Sequence, residues 1–288
     1  MNTATRSRAA SAAAANSSPK RDWASQVSSG GSNKPTRAIF HGVEGVGKTS
    51  FAAQAPKPVF LMARGETGLD TLISSGCLGE TPHFPETQTW QEALSQIDWL
   101  IESEHPHKTL VLDTLNGLER LCHEHVCQRD YGGEWGKSGF TSYMQGFEVS
   151  LADWRELLAL LDRLRDRKAM GIVCLCHTKV APFRNPEGAD YDRYAPDMHQ
   201  KTWGLTHKWA DLVGFMNFEV VVQEERGTKR GKGHGGQARM LYLERHAAYD
   251  AKNRLGLPEA VSLGNTAQEA WANFMAAVKA ARKQDMKA

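Results

Sequence analysis

Eight residues constrain this chain more than any others. Gly42-Val43-Glu44-Gly45-Val46-Gly47-Lys48-Thr49 fill the pattern G-x-x-x-x-G-K-[ST] at every position. In a chain of 288 residues, ordinary residue frequencies produce that pattern by accident about once in a hundred cases. A short apolar run at 38–40 precedes it, and residues 49–54 continue as a helical pattern. A strand, a glycine-rich turn and a helix in that order wrap backbone N–H groups around phosphate at a helix N-terminus. Residues Gly42, Val43, Glu44, Gly45, Val46, Gly47, Lys48, Thr49 and Ser50 are therefore the expected contacts for a nucleotide such as ATP. Lys48 is placed to neutralise the outer phosphates, and the Thr49 hydroxyl to ligate Mg2+.

A loop of this kind needs a strand-end acid to help hold the metal. Leu110-Val111-Leu112-Asp113 supplies one, with an apolar run ending at Asp113. Ligands of α/β sheets gather at the C-terminal ends of the strands. Further apolar runs lie at 59–62, 171–176, 215–222 and 240–243. Between several of them the period changes to that of a helix. Thr89 and Glu92 stand at capping-box spacing ahead of Leu94, Ile97 and Leu100. Leu151, Trp154, Leu157, Leu158, Leu161 and Leu164 form one stripe over 150–168. Residues 266–284 predict a terminal amphipathic helix. Strands alternating with helices predict an α/β fold with a mainly parallel central sheet, helices on both faces and antiparallel strands added at the edge.

Composition removes several classes. No run approaches 18 apolar residues, so a membrane-spanning helix is not expected. Five cysteines are an odd number for a disulfide scaffold and fit a reducing compartment. The chain carries 35 basic and 33 acidic residues, a net of +2, but the two signs are unevenly spread. Residues 1–37 hold six basic and one acidic group, which leaves 29 basic and 32 acidic in the remainder. Any polyanion site in the body must be a local patch. Ser and Ala fill 16 of the first 33 positions, a composition too poor in large apolar residues to offset ordering entropy. The expected organisation is a flexible basic tail at 1–35, a core at 36–265, and a helix with a basic tail at 266–288.

The order of these pieces resembles the RecA-like P-loop ATPases, most closely the phage-encoded RecA-core single-strand annealing proteins of AAA-type ATP-binding character. The likeness runs colinearly from about residue 37 to 263. In Val59-Phe60-Leu61-Met62-Ala63-Arg64-Gly65-Glu66-Thr67-Gly68-Leu69-Asp70, Glu66 falls where such proteins carry the glutamate that orients the attacking water. His177 follows the central strand where a side chain senses the γ-phosphate; an uncharged imidazole can donate to phosphate. Lys252 and Arg254, in Lys252-Asn253-Arg254-Leu255-Gly256-Leu257-Pro258, match the basic pair that reaches the neighbouring subunit's nucleotide. The resemblance implies a homo-oligomer, ring or filament, in the cytoplasm of a bacterial host. Its ATPase would be completed in trans and stimulated by single-stranded DNA, with annealing or recombination as the outcome. A single-strand DNA-binding protein would be a further partner. A helicase-like or packaging motor, and a nucleotide-gated loader or scaffold, are the alternative readings.

The resemblance also places two DNA-binding loops. The first, 131–140, is glycine-rich and holds Trp135, Lys137 and Phe140. The second, 181–203, is read as irregular and holds Phe183, Arg184, Arg193 and Lys201. Aromatic faces stack on bases while cations hold phosphates. Residues 226–234 read as a basic hairpin tip whose Lys229, Arg230 and Lys232 either bind DNA backbone or simply keep the turn soluble. Cys122 and His125 share a helix face but Cys127 lies well off it, which does not suit a zinc site; Leu118, Leu121, Cys122 and His125 fit a core stripe better.

Overall fold

A computed structural model describes residues 27–29, 34–224 and 231–285, with side chains at 27–29, 34–219 and 238–283. The chain divides into two units, 1–33 and 34–288. The architecture below is that of the second unit.

Five strands build the parallel part of the sheet: β1 (Arg37–Gly42), β2 (Pro58–Met62), β3 (Thr109–Asp113), β4 (Gly171–Phe183) and β6 (Leu212–Glu224). They lie in the order β2-β3-β4-β1-β6. Two antiparallel strands, β7 (Gly231–Tyr242) and β9 (Ala260–Ser262), continue beyond β6. Both the parallel centre and the antiparallel edge agree with the expected RecA-like core.

The period of two along each strand sorts its side chains between two cores. Ile39, Leu61, Leu110, Leu112, Ile172, Cys174 and Cys176 enter one. Phe40, Phe60, Met62, Val111, Val173 and Leu175 enter the other. The first is covered by α3 (Trp90–Glu102), α4 (Leu115–Tyr131), α5 (Gln145–Lys168) and α6 (Gln200–Trp209), chiefly through Trp90, Ile97, Leu118, Trp154 and Leu161. The second is covered by α1 (Lys48–Ala52), α2 (Gly68–Ser74) and α7 (Ala267–Asp285) through Phe51, Leu69 and Phe274. The predicted apolar stripe of α5 is the buried one, and Thr89 caps α3 by accepting from the Glu92 N–H at 3.2 Å. Helix α7 packs Ala270, Phe274, Val278 and Ala281 into the second core, so it belongs to the same packed body.

Residues 181–203 depart from the irregular loop expected. Strand β4 runs on past the sheet and pairs antiparallel with β5 (Tyr191–Pro196), from Thr178↔Pro196 to Phe183↔Tyr191. Helix α6 then begins at Gln200. The N–H of its N-cap residue His199 donates to both oxygens of the buried Glu119 carboxylate, at 3.0 and 3.1 Å. Strands β6 and β7 pair up to Glu224↔Gly231. The tip carrying Lys229 and Arg230 lies outside the described residues, as does the side chain of Lys232.

Candidate nucleotide site and nucleic-acid interface

Register places the site. Gly42 pairs with His177 across β1 and β4, and Asp113 pairs with Met62 across β3 and β2. The C-terminal ends of four adjacent strands thus present the phosphate loop, His177, Asp113 and the turn that carries Glu66 along one edge. These residues line a cleft of about 400 Å³ with Glu44, Gly47, Lys48, Thr49, Ser50, Thr114 and His177 in its walls.

Two loop glycines are required by geometry. Gly47 has φ 95°, a left-handed conformation that other residues adopt only with strain. A Cβ on Gly42 would sit 2.3 Å from the Met216 carbonyl oxygen. That close approach lets the Val43 N–H donate to the same carbonyl at 3.2 Å and turns the chain out of β1.

Lys48 Nζ folds back over the loop and donates to Gly42 O at 2.8 Å and Val43 O at 3.0 Å. Burial pushes its pKa down, which marks an ammonium short of solvent and suited to a strong anion. Thr49 Oγ1 donates to Asp113 Oδ2 at 2.9 Å, so the hydroxyl and the carboxylate face one point. Burial, then the nearby Glu66 charge, push Asp113 up to about 6, while its bond from Thr49 pulls the other way. A buried carboxylate and a hydroxyl that converge are the hard oxygen donors that suit Mg2+.

Glu66 follows β2 and reaches back to the same cleft. Thr114 Oγ1 donates to its Oε1 at 2.7 Å, and His177 Nε2 lies 3.5 Å from its Oε2. Burial raises the Glu66 pKa, but the hydrogen bonds from His177 and Thr114 outweigh it and hold the carboxyl below its ordinary value. The same contact raises His177. Around this pair, Glu86 accepts the Gly65 N–H at 2.7 Å, Arg120 donates to the Arg64 carbonyl, and Asn116 Oδ1 accepts the His177 N–H at 3.1 Å. Sequence reasoning missed Thr114, Asn116 and Arg120. The signal was their place directly after Asp113, on the first turns of a helix that starts at a strand end.

Lys252 and Arg254 lie elsewhere. Strand β8 (Lys252–Asn253) pairs with β6 at Leu212 and Val213, whereas Gly42 pairs with Met216. Three residues of strand put Lys252 about 10 Å back along the sheet from the phosphate loop, and Arg254 lies further back still. The Lys252 ammonium is engaged locally: it donates to His207 O at 2.6 Å, Lys208 O at 3.2 Å and Ala210 O at 2.5 Å. It closes the C-terminal end of α6, where cations are stabilising. Arg254 is exposed and its side chain makes no hydrogen bond among the described residues. Lys252→Ala is expected to cost about 1–2 kcal/mol through those carbonyls, read as a lower denaturant midpoint.

The candidate DNA contacts divide by exposure. Trp135, 43% exposed, and Lys137 face solvent, and Arg184 projects from the turn of the β4–β5 hairpin. Lys201 is exposed and pairs with Glu148, a surface contact of little net worth. Phe140 is a correction. It is fully buried among Val126, Cys127, Tyr131 and Phe147 and serves as the loop's anchor, not as a stacking face for a base. Phe140→Ala should cost about 3–5 kcal/mol in urea unfolding, since the large cavity it leaves is enclosed. Arg193 is a second correction: its side chain is 10% exposed, paired with Asp250 at 3.1 Å, and its guanidinium lies 5.0 Å from the half-buried Phe183 ring. Both are committed to the protein in this conformation. Tyr143, 94% exposed at φ 45°, and its neighbour Met144 are outward apolar groups just past the first loop that sequence reasoning missed, because nothing local announces a left-handed turn at Tyr or Met.

Among the described residues no three His, Cys, Asp or Glu side chains are grouped to hold a metal ion, and the Cys122 thiol donates to Ser150 O within the core. No described helix is long and apolar enough to cross a membrane.

A family model described as an AAA domain matches residues 34–255. No curated protein matches the chain. Among solved structures, the crystal structure of the RadB recombinase is similar at 13% identity, covering 82% of this chain and 90% of that one, with a TM-score of 0.42.

Proposed function

The chain belongs to the AAA domain family over residues 34–255, and from that premise we propose that it is a Mg-ATP hydrolase that works on single-stranded DNA. One observation carries the reading: Lys48, Thr49, Asp113, Glu66 and His177, drawn from four separate strand ends, line one cleft. In this mechanism the loop N–H groups and Lys48 bind the outer phosphates, and Lys48 exchanges its carbonyl partners for phosphate oxygens. Glu66, ionised through its bonds from Thr114 and His177, holds a water and takes its proton at Oε2. His177, beside that carboxylate, serves as the γ-phosphate sensor. Thr49 and Asp113 would hold Mg2+, which would supply positive charge to offset that developing on the transferred phosphoryl group.

The nucleic-acid part rests on Trp135, Tyr143, Lys137, Arg184 and Lys201, which offer aromatic faces and cations to solvent. Annealing or recombination by a cytoplasmic, phage-encoded homo-oligomer is the corresponding biological reading. Completion in trans is supported by the placement of β8, from which Arg254 cannot serve its own nucleotide. Arg254→Ala is then expected to lower turnover without lowering the unfolding midpoint. Mixing it with inactive Lys48→Ala should restore part of the rate, because mixed interfaces unite an intact loop with an intact Arg254. No recovery on mixing sinks the trans assignment.

The DNA reading is tested by anisotropy of a labelled single-stranded oligonucleotide over a salt series with Mg-ATP present. Binding should weaken along a straight log–log line whose slope reports the phosphates neutralised. Absence of binding at low salt contradicts it.

A further inference from the structure

His41 precedes the phosphate loop by one residue and is fully buried. Its Nε2 lies 2.7 Å from the Asp250 carbonyl oxygen and its Nδ1 2.9 Å from Thr178 Oγ1. Burial pushes its pKa down to about 4, so the ring is neutral. A carbonyl only accepts, so the proton sits on Nε2 and Nδ1 accepts from Thr178. The two residues next to Gly42 and His177 are thereby tied to each other and to the backbone of Asp250.

The Asp250 carboxylate faces the other way, toward the hairpin. Its Oδ1 pairs with Arg193 of β5 at 3.1 Å, and its Oδ2 accepts from Trp203 Nε1 of α6 at 2.8 Å. The Tyr194 N–H donates to Ala248 O at 2.8 Å, so β5 runs beside the segment that carries Asp250. Arg193, Trp203 and Asp250 stand in the walls of a cavity of about 630 Å³ between hairpin and helix. His207 Nε2 is buried without a hydrogen-bond partner, 3.9 Å from Asp250 Oδ1. A second partner therefore waits for the carboxylate if Arg193 leaves.

We infer that Asp250 is a positioning residue that couples the β4–β5 hairpin to the nucleotide cleft, its backbone holding His41 and Thr178 while its carboxylate holds Arg193 and Trp203. Nucleotide held between Gly42 and His177 shifts the ends of β1 and β4, and Asp250 passes that shift to the hairpin. The coupling rests on the proposed nucleotide cleft, whose failure would show as no protection of the phosphate loop itself; the identity of what the hairpin touches rests on the proposed DNA reading.

The test is amide hydrogen exchange on the full chain, with and without Mg2+ and a non-hydrolysable ATP analogue. In the wild type, nucleotide should slow exchange in the phosphate loop and by about fivefold or more across residues 179–196. In Asp250→Asn, the loop response should persist while the hairpin response falls below about twofold. A merely structural Asp250 would raise hairpin exchange equally in both states and leave their ratio intact. That result, or a wild-type hairpin that ignores nucleotide, overturns the inference. Should Asp250→Asn fail to fold, Arg193→Gln removes the same ion pair from the hairpin side and must show the same lost response. Adding a single-stranded oligonucleotide separates the two readings: no hairpin protection by DNA contradicts the DNA reading and leaves the Asp250 result standing.

Discussion

Lys48→Ala is expected to lower Mg-ATP turnover about 10²–10³-fold, the range measured when one preorganised charge-stabilising donor is removed. The lysine begins buried, with its ammonium on the Gly42 and Val43 carbonyls at 2.8 and 3.0 Å. Its lowered pKa reports how little water solvates that charge. A cation in such surroundings is attracted to phosphate far more strongly than one in bulk solvent. It also gains most where charge on the transferring group is greatest. Alanine leaves the loop glycines and their left-handed turns in place, so the unfolding midpoint should move little beside the change in rate. Full turnover in this variant would remove the phosphate loop from the mechanism.

Glu66→Gln should cut turnover by about 10²–10⁴-fold while nucleotide still binds. The substitution keeps the shape of the side chain, and Thr114 can still donate to its carbonyl oxygen. What disappears is the basic carboxylate oxygen 3.5 Å from His177 Nε2. Binding and chemistry therefore separate: affinity for a fluorescent ATP analogue should stay within a few-fold of wild type as phosphate release fails. Turnover near the wild-type rate would place the water-activating group elsewhere, and lost affinity would make Glu66 a binding residue.

Much of this site was legible in the sequence because its parts are local. The phosphate loop is one contiguous motif whose glycine requirement at Gly47 is met by a φ of 95°. Asp113 was found from the apolar run that buries its strand. The stripe of α5 was found because six apolar residues at helical spacing leave one face to bury. What could not be read depends on contacts between distant segments. The β4–β5 hairpin carries Pro182 within its first strand and many charged residues, and pairing with Tyr191–Pro196 makes it regular. Phe140 reads as an exposed aromatic in a glycine-rich loop, yet Val126, Cys127 and Phe147 enclose it. Lys252 reads as a free cation, yet the end of α6 folds onto it. Arg193 reads as a phosphate contact, yet Asp250 holds it. Composition fixed none of these partners: α4 and α5 supply those of Phe140, the end of α6 supplies those of Lys252, and Asp250 holds Arg193.

The measurement closest to the central claim is phosphate release from Mg-ATP by the wild-type chain, with single-stranded DNA titrated in at low salt. Saturable release that requires magnesium and rises with DNA is the predicted result. No release above the Lys48→Ala background, with or without DNA, would contradict it.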